Sequence, residues 1–563
     1  VTEAVRRATG LDLHDGQLLG GLALVAGWIA EIPGGEGKTI TVALPAALQS
    51  LPGRGVHVAT TNEYLSRRDH DIMSGIYAQL GLTCGRLTAN SSLAEKSHAY
   101  ACDITYGAAY EFGFDFLSDQ LARRSHHPSS LQPHFPRTQS NPLRTPTIQR
   151  GNAFAIFDDA DSLLIDDASS PLILRGADSA TKTDSEIVRF ARQVALELDG
   201  SEFTLHPTTP SATLTATGWQ NAYNAFDRRP AGRLSQSWSK LIQHALCAEY
   251  LLTRNTDYVV RENRVLVVDR NTGRIHTERT WGSGLQQAIE FKESVPLTAE
   301  RETKGRITRQ RYAGFYAGLC GLTSSAISSE SELMEQYSLP VIKIPAGTKS
   351  ARRDLPLRTF ADNASKLSAI ITDVSQRRRL GQPVLIGTRT VGESNLIADR
   401  LCDMNVPHVL LTGMQNEWES NIASRAGIAA SVTIATNLAG RGTDIPLDQT
   451  AKSAGGLHVC VAQPHHCQRL DQQLVGRTAR RGQPGSCQFF ASADDKMITD
   501  NNRSLSHRMQ NVADSSGECQ HDFRDEIDAI QTQVARESQN ARRRMVQNDH
   551  WLESAEPSLA RRA

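Results

Sequence analysis

The stretch AFAIFDDADSLLIDD, residues 153–167, decides the fold. A short apolar run from Ala153 to Phe157 ends in Asp158, Asp159, Ala160 and Asp161. An apolar strand that delivers an acidic pair at its end is how a nucleoside triphosphatase holds magnesium and aims a water. Motors of this kind commonly carry Asp followed by Glu. This chain carries Asp followed by Asp, which keeps the carboxylate but shortens its reach by one methylene. A catalytic group misplaced by roughly 1 Å can cost on the order of 10²-fold in rate. A slow site is therefore expected, with Asp159→Glu raising turnover.

The strand needs a phosphate loop upstream, and GGEGKTI at 34–40 supplies one after an apolar segment ending in WIAEI. Gly35 and Gly37, around Glu36, let backbone N–H groups close on phosphate oxygens. Lys38 adds charge near the terminal phosphates, and Thr39 can place its hydroxyl on Mg²⁺. The full G-x-x-x-x-G-K-T pattern is not met, because residue 32 is Ile; the compact form is the one helicase-like motors use. VHVATTN (56–62), DITYGAA (103–109) and NAFAIFDD (152–159) read as buried parallel strands with helical stretches between them, which is the signature of a doubly wound sheet. The Pro-, Ser- and His-rich 123–149 reads as a mobile surface loop. LLGGLALVAGWIA (18–30) reads as a buried helix running into a strand.

A second α/β block covers about 360–495. Its strands are QPVLIGT (382–388), HVLLTG (408–413), SVTIATN (431–437), GGLHVCVA (455–462) and SCQFFAS (486–492). In QQLVGRTARRGQ (472–483), Arg477 and Arg480 are three apart and share a face if the segment is helical. From a second domain they would act as arginine fingers on a γ-phosphate. Between the blocks, TDYVVRENRVLVVDRNTGRIHTERTW (256–281) reads as short strands joined by tight turns, a small α+β insertion. Near the end, Phe523, Ile527, Ile530, Val534, Ala541 and Met545 form one apolar helical stripe with Arg542 to Arg544 beyond it.

At 563 residues the chain is too long for a single core. It is 39% hydrophobic and 22% charged, an ordinary folded composition. Lys plus Arg equals Asp plus Glu at 61 each, so global charge gives no signal for nucleic acid. The nine cysteines include no Cys-x-x-Cys, which indicates neither a disulfide framework nor a zinc site. No apolar run approaches the ~18–20 residues of a membrane span. The chain opens on Val1, so a start codon further upstream is one expectation.

These segments together resemble the SecA family of preprotein translocase motors, within the superfamily 2 helicase-like ATPases. DGQLLGGLALVAGWIAEIPGGEGKT is similar to the family's glutamine motif and phosphate loop. HVATTNEYLSRRD, DITYGAAYEFGFDFLSD, DSLLIDDASSPLI, VDRNTGRIHTERTWGSGLQQAIE, VTIATNLAGRGTDI and RLDQQLVGRTARRGQPGS also resemble family segments. The resemblance implies two RecA-like parallel-sheet motor domains, at 1–175 with 305–358 and at 359–497. It implies an inserted α+β preprotein-binding domain at 176–304, and the start of a helical scaffold at 498–563. It puts Gln17 on the adenine, and Gly35 to Thr39 and Asp444 on ATP. Thr39 and Asp158 would hold Mg²⁺, with Lys38, Asp158, Asp159, Arg477 and Arg480 catalytic.

The implied activity is ATP-driven movement of unfolded preprotein through the SecYEG channel, at the cytoplasmic face of an acidic membrane. The protein would be peripheral, without nucleic acid, and open to homodimerisation. Three departures bear on this: TSSA (323–326) stands for the family's TGTA, VAQPHHCQR (461–469) for GTERHESRR, and Pro33-Gly34 for Lys/Arg-Thr. The family's helical wing, two-helix finger and zinc tail are not expected here. The alternatives are a nucleic-acid-stimulated helicase-like ATPase and a degenerate nucleotide-binding scaffold.

Overall fold

The computed structural model describes residues 1–125, 147–176, 184–206, 210–232, 234, 236–268, 275–276, 280–282, 284–299, 303–411, 418–436 and 444–559. Most of the 123–149 loop lies outside these residues, as do 437–443 of TNLAGRGTDI and parts of 269–279.

Two seven-stranded sheets organise the chain. Across the first, the order is Val341–Lys343, Ile29–Glu31, Gly318–Thr323, Phe154–Asp158, Val56–Thr60, Ile104–Ala108 and Cys84–Arg86, all parallel. The central strands are buried on both faces, as parallel strands covered by helices must be. One core contains Ile29, Phe112, Phe157 and Leu163, and another Leu24, Val58, Tyr77 and Ile156. The second sheet runs Ala351–Asp354, Pro484–Ser492, Leu457–Val461, Val384–Thr388, Val432–Thr436 and Val409–Leu411, with Arg358–Phe360 also on Pro484–Ser492. The fold is α/β with two RecA-like domains.

Local sequence sets the helix starts. Asn62, Asp362 and Thr390 each accept a backbone N–H from the first turn of the helix they precede. Ser92 and Glu95 form a reciprocal capping box. The helix Asp15–Val25 runs into the strand Ile29–Glu31, but its burial is one-sided. Gly20 and Gly21 pack on Ile32, Thr41 and Leu44, while Leu19 and Leu22 are 51% and 58% exposed. Its near-continuous apolar sequence hides which face turns inward; the glycines decide it, because only a face without side chains can approach that closely.

The chain leaves the first domain along Leu172–Arg175 and returns along Thr303–Ile307, an antiparallel two-stranded stem. Between them lie the helices Ser185–Glu197, Ala216–Phe226, Trp238–Tyr250 and Leu285–Lys292. They accompany a hairpin, Phe203–His206 with Ser211–Leu214, and a sheet of Tyr258–Arg261, Arg264–Val268 and Ile275–His276. The insertion leans on the second domain: Val259, Val268 and Ile275 pack with Val391, and Gly392 N–H donates to Asn255 O at 3.1 Å.

The long helix Arg524–Leu559 follows the second domain. Phe523, Ile527 and Ile530 are buried against Met497, Leu505 and Met509. The expected stripe does not continue: Ala541 is exposed and Met545 only half-buried, whereas Arg542 and Asp549 are buried. The second half of this helix docks by charge.

Candidate active site

The carboxyl ends of Ile29–Glu31, Gly318–Thr323 and Phe154–Asp158 meet at one edge of the first sheet, where ligands bind in open parallel α/β folds. After Glu31 the phosphate loop turns through Gly35 (φ 92°) and Gly37 (φ 76°) into the helical turn Lys38–Thr41. Both glycines hold left-handed conformations that L side chains resist. Gln17 Nε2 donates to Glu36 O at 3.2 Å and Gly37 O at 3.4 Å, so it braces the loop; its Oε1 accepts from His14 N–H. A side chain at Gly37 would collide with the Gln17 amide. Gln17 thus braces the loop in the left-handed turns of Gly35 and Gly37, ahead of the helical turn Lys38–Thr41, a conformation that suits a phosphate chain.

Lys38 Nζ lies 3.2 Å from Asp159 Oδ1. Asp159 takes φ 59°, a left-handed turn just after the strand, and its carbonyl accepts from Ser162 and Leu163 N–H. Packing around Asp158, with the charges of Asp159 and Asp69 beside it, pushes its carboxyl up to about 7. Asp69 lies on the helix Glu63–Gln79 and is 2% exposed. Its Oδ1 accepts from Arg68 Nε and Nη2 at 2.9 and 2.7 Å, and from the Thr39 hydroxyl at 3.4 Å. Burial pushes the Asp69 carboxyl up, opposed by Arg68. Crowded carboxylates that raise one another's proton affinity suit a divalent cation. Thr39 and Asp158 carry the chemistry for one.

The second domain approaches the loop directly. Arg480 donates through Nη1 to Asp444 Oδ1 at 3.0 Å and through Nε to Gly476 O at 3.0 Å. Arg481 Nε donates to Gly35 O at 3.0 Å. A side chain at Gly34 would meet Gly476 O at 3.2 Å and the Arg480 guanidinium at 3.4 Å, so glycine at this departure from the family pattern permits the close approach. Arg477 is buried. Arg477 and Arg480 do not share a helical face, because the helix Gln468–Val475 ends at Gly476 and Ala479 and Arg481 turn left-handed.

The two domains also meet at a hub of buried polar groups that the sequence does not single out. Asp161 accepts from the Thr323 hydroxyl at 2.6 Å, the Ser325 hydroxyl and Arg469 Nη1 at 2.9 Å each, and Gln473 Nε2. Arg469 also donates to Asp166. Asp161 precedes and Asp166 ends a π-helical turn over Ser162–Asp166, a local irregularity common at functional sites. Glu31 Oε2 accepts from Ala326 and Ile327 N–H at 2.6 and 2.7 Å. The signals were the fourth residue of DDAD and the i, i+4 pair Arg469 and Gln473, but neither names its partner. Of the three hydroxyls in TSSA, those of Thr323 and Ser325 reach Asp161 despite the departure from TGTA.

The SecA DEAD-like domain model matches residues 1–334, and the SecA P-loop domain model matches 349–453 and 446–517. A protein translocase subunit SecA from Clostridium novyi is 38% identical over 551 residues, covering 97% of this chain and 62% of that protein. A protein translocase subunit SecA 2 from Geobacillus thermodenitrificans is 39% identical over 510 residues, covering 88% of this chain and 61% of that protein. The chain thus spans about three-fifths of these relatives' length. Among solved structures, Saccharomyces cerevisiae Dbp5 bound to RNA and ADP BeF3 aligns with TM-score 0.43 and 13% identity, over 95% of this chain and 96% of that one.

Proposed function

The chain belongs to the SecA family, and on that premise we propose that it is the motor part of an ATP-driven protein translocase. The observation that carries the proposal is the apposition of Gly34 and Gly35 in one domain to Arg480 and Arg481 in the other. A nucleotide seated on the phosphate loop would lie between them. Gln17 braces the loop beside the base, and Lys38 exchanges Asp159 for the terminal phosphates. The released Asp159 carboxylate then accepts from the attacking water. Arg480 leaves Asp444 for the charge that develops on the γ-phosphate, with Arg477 beside it. Magnesium, when bound, neutralises phosphate charge; Thr39 and Asp158 would hold it.

Closing the cleft moves two attached parts. The insertion, bounded as 176–304, would be the clamp for an unfolded preprotein, and it already touches the second domain at Val391. The helix from Arg524 would report the relative position of the domains at 1–175 with 305–358 and at 359–497. Gln531 holds His465 O and Asp471 of the second, and Arg542 holds Glu332 of the first. The substrates are then unfolded preproteins, the partner a SecYEG channel at the inner face of an acidic membrane, and the protein peripheral. Among the described residues no helix is long and apolar enough to cross a membrane.

The test is ATP turnover with and without an unfolded preprotein and channel-containing membranes, with Lys38→Ala as the blank. Slow turnover above the blank, stimulated by preprotein and membranes, is expected. Turnover equal to the blank leaves a nucleotide-binding scaffold instead. Stimulation by RNA but not by preprotein replaces the reading with a helicase-like one.

A further inference from the structure

We propose that Asp69 is a third carboxylate of the nucleotide–metal site, fixing the Thr39 hydroxyl through Oδ1 and accepting from a metal-bound water through Oδ2. The inference rests on the motor reading and adds a positioning residue to it.

The two oxygens of Asp69 are unequally used. Oδ1 takes Arg68 Nε, Arg68 Nη2 and the Thr39 hydroxyl. Oδ2 is buried and has no hydrogen-bond partner among the described residues. An ion pair with its chain neighbour accounts for the first oxygen and leaves the second unexplained. Buried carboxylate oxygens are normally satisfied, so an unused one beside a phosphate loop points to an absent donor. Because the Thr39 proton goes to Asp69, the lone pairs of that hydroxyl are left for a cation. The local charge agrees: Lys38 and Arg68 oppose a crowd of three carboxylates, in which Asp159 and Asp69 raise the cost of charging Asp158, and Asp159 that of charging Asp69. A divalent ion held by Thr39 and Asp158 would offset that crowding and supply the donor that Asp69 Oδ2 lacks. Carboxylates that orient a metal's ligands typically contribute about 10–100-fold in metal affinity.

The experiment measures equilibrium binding of a fluorescent ADP to the full chain, with Mg²⁺ and with EDTA. The quantity read is the ratio of the two Kd values. Asp69→Asn places an N–H donor where the water needs an acceptor. It is expected to cut the Mg²⁺ gain by about tenfold while the Kd in EDTA stays within about twofold. An unchanged ratio overturns the proposal, as does an equal weakening of both Kd values, which marks a merely structural role. If Asp69→Asn does not fold, Asp69→Glu is read the same way: a gain reduced at least about threefold supports the assignment, and an unchanged one overturns it. A wild-type protein that binds no nucleotide would instead sink the motor reading itself, and this proposal with it.

Discussion

Asp159 turns left-handed at φ 59° and hands its carboxylate to Lys38. Asp and Asn are the non-glycine residues that tolerate this region best, because a short polar side chain can bond locally. The missing methylene therefore has a backbone counterpart. Asp159→Glu restores reach but seats a longer side chain on the same turn. We expect turnover to rise and the melting temperature to fall, read by steady-state ATP hydrolysis and thermal unfolding of one preparation. An unchanged rate would mean that the site has adapted to the shorter carboxylate.

His57, in the strand Val56–Thr60, is held neutral, its pKa pushed down to about 3 by burial and then by Arg150. It stacks on Phe112 at 4.7 Å and pairs with the Tyr316 hydroxyl at 2.8 Å. Its unfolded-state value lies near 6.5, so between about pH 6.5 and 3 the unfolded chain binds a proton that the folded chain refuses. Stability from this group is complete above that window and falls as pH drops through it, by up to roughly 5 kcal/mol. His57→Phe is expected to flatten the acid limb of a urea-unfolding pH series relative to wild type.

At the scale of elements, the helix Arg524–Leu559 is the instructive case. Its 36 residues extend about 54 Å, enough to touch both motor domains. The spacing of Phe523, Ile527 and Ile530 was legible because it marks an apolar face at helical period. The rest was not, because the docking face changes character. Arg542 pairs with Glu332 at 2.6 and 2.7 Å, with both side chains buried, and Asp549 Oδ2 accepts from Thr308 N–H at 2.8 Å. A buried arginine and a solvated one look alike in sequence until the partner, here 210 positions away, is known. Arg542→Ala leaves Glu332 charged and buried, and is expected to destabilise by about 3–5 kcal/mol. Replacing both residues by Met should recover most of that loss in urea unfolding.

The helix Gln468–Val475 is a second case. Its residues reach in two directions, with Arg469 and Gln473 on Asp161, Asp166 and Ser325 of the first domain, and Asp471 on His465 and Gln531. Leu470 and Leu474 are buried at a helical spacing of four, while the polar residues beside them take partners that the spacing does not name.

At the scale of the molecule, the sheet strands, the phosphate loop and the acidic strand end follow from local sequence. Apolar strand runs, glycines where the backbone must turn left-handed and Asn, Asp, Ser or Thr at helix starts act within a few residues of themselves. What was out of reach is what joins distant segments. Gly34 makes sense only because Gly476 and Arg480 press against it, and Asp161 only because Thr323, Ser325, Arg469 and Gln473 converge there. By itself the sequence determined two parallel α/β domains, an insertion and a phosphate loop, since periodicity and backbone conformation are short-range. The tertiary structure alone decided which carboxylates share a field, which arginines are buried and how the domains meet. Desolvation and pairing depend on neighbours in space, and linear order does not contain them.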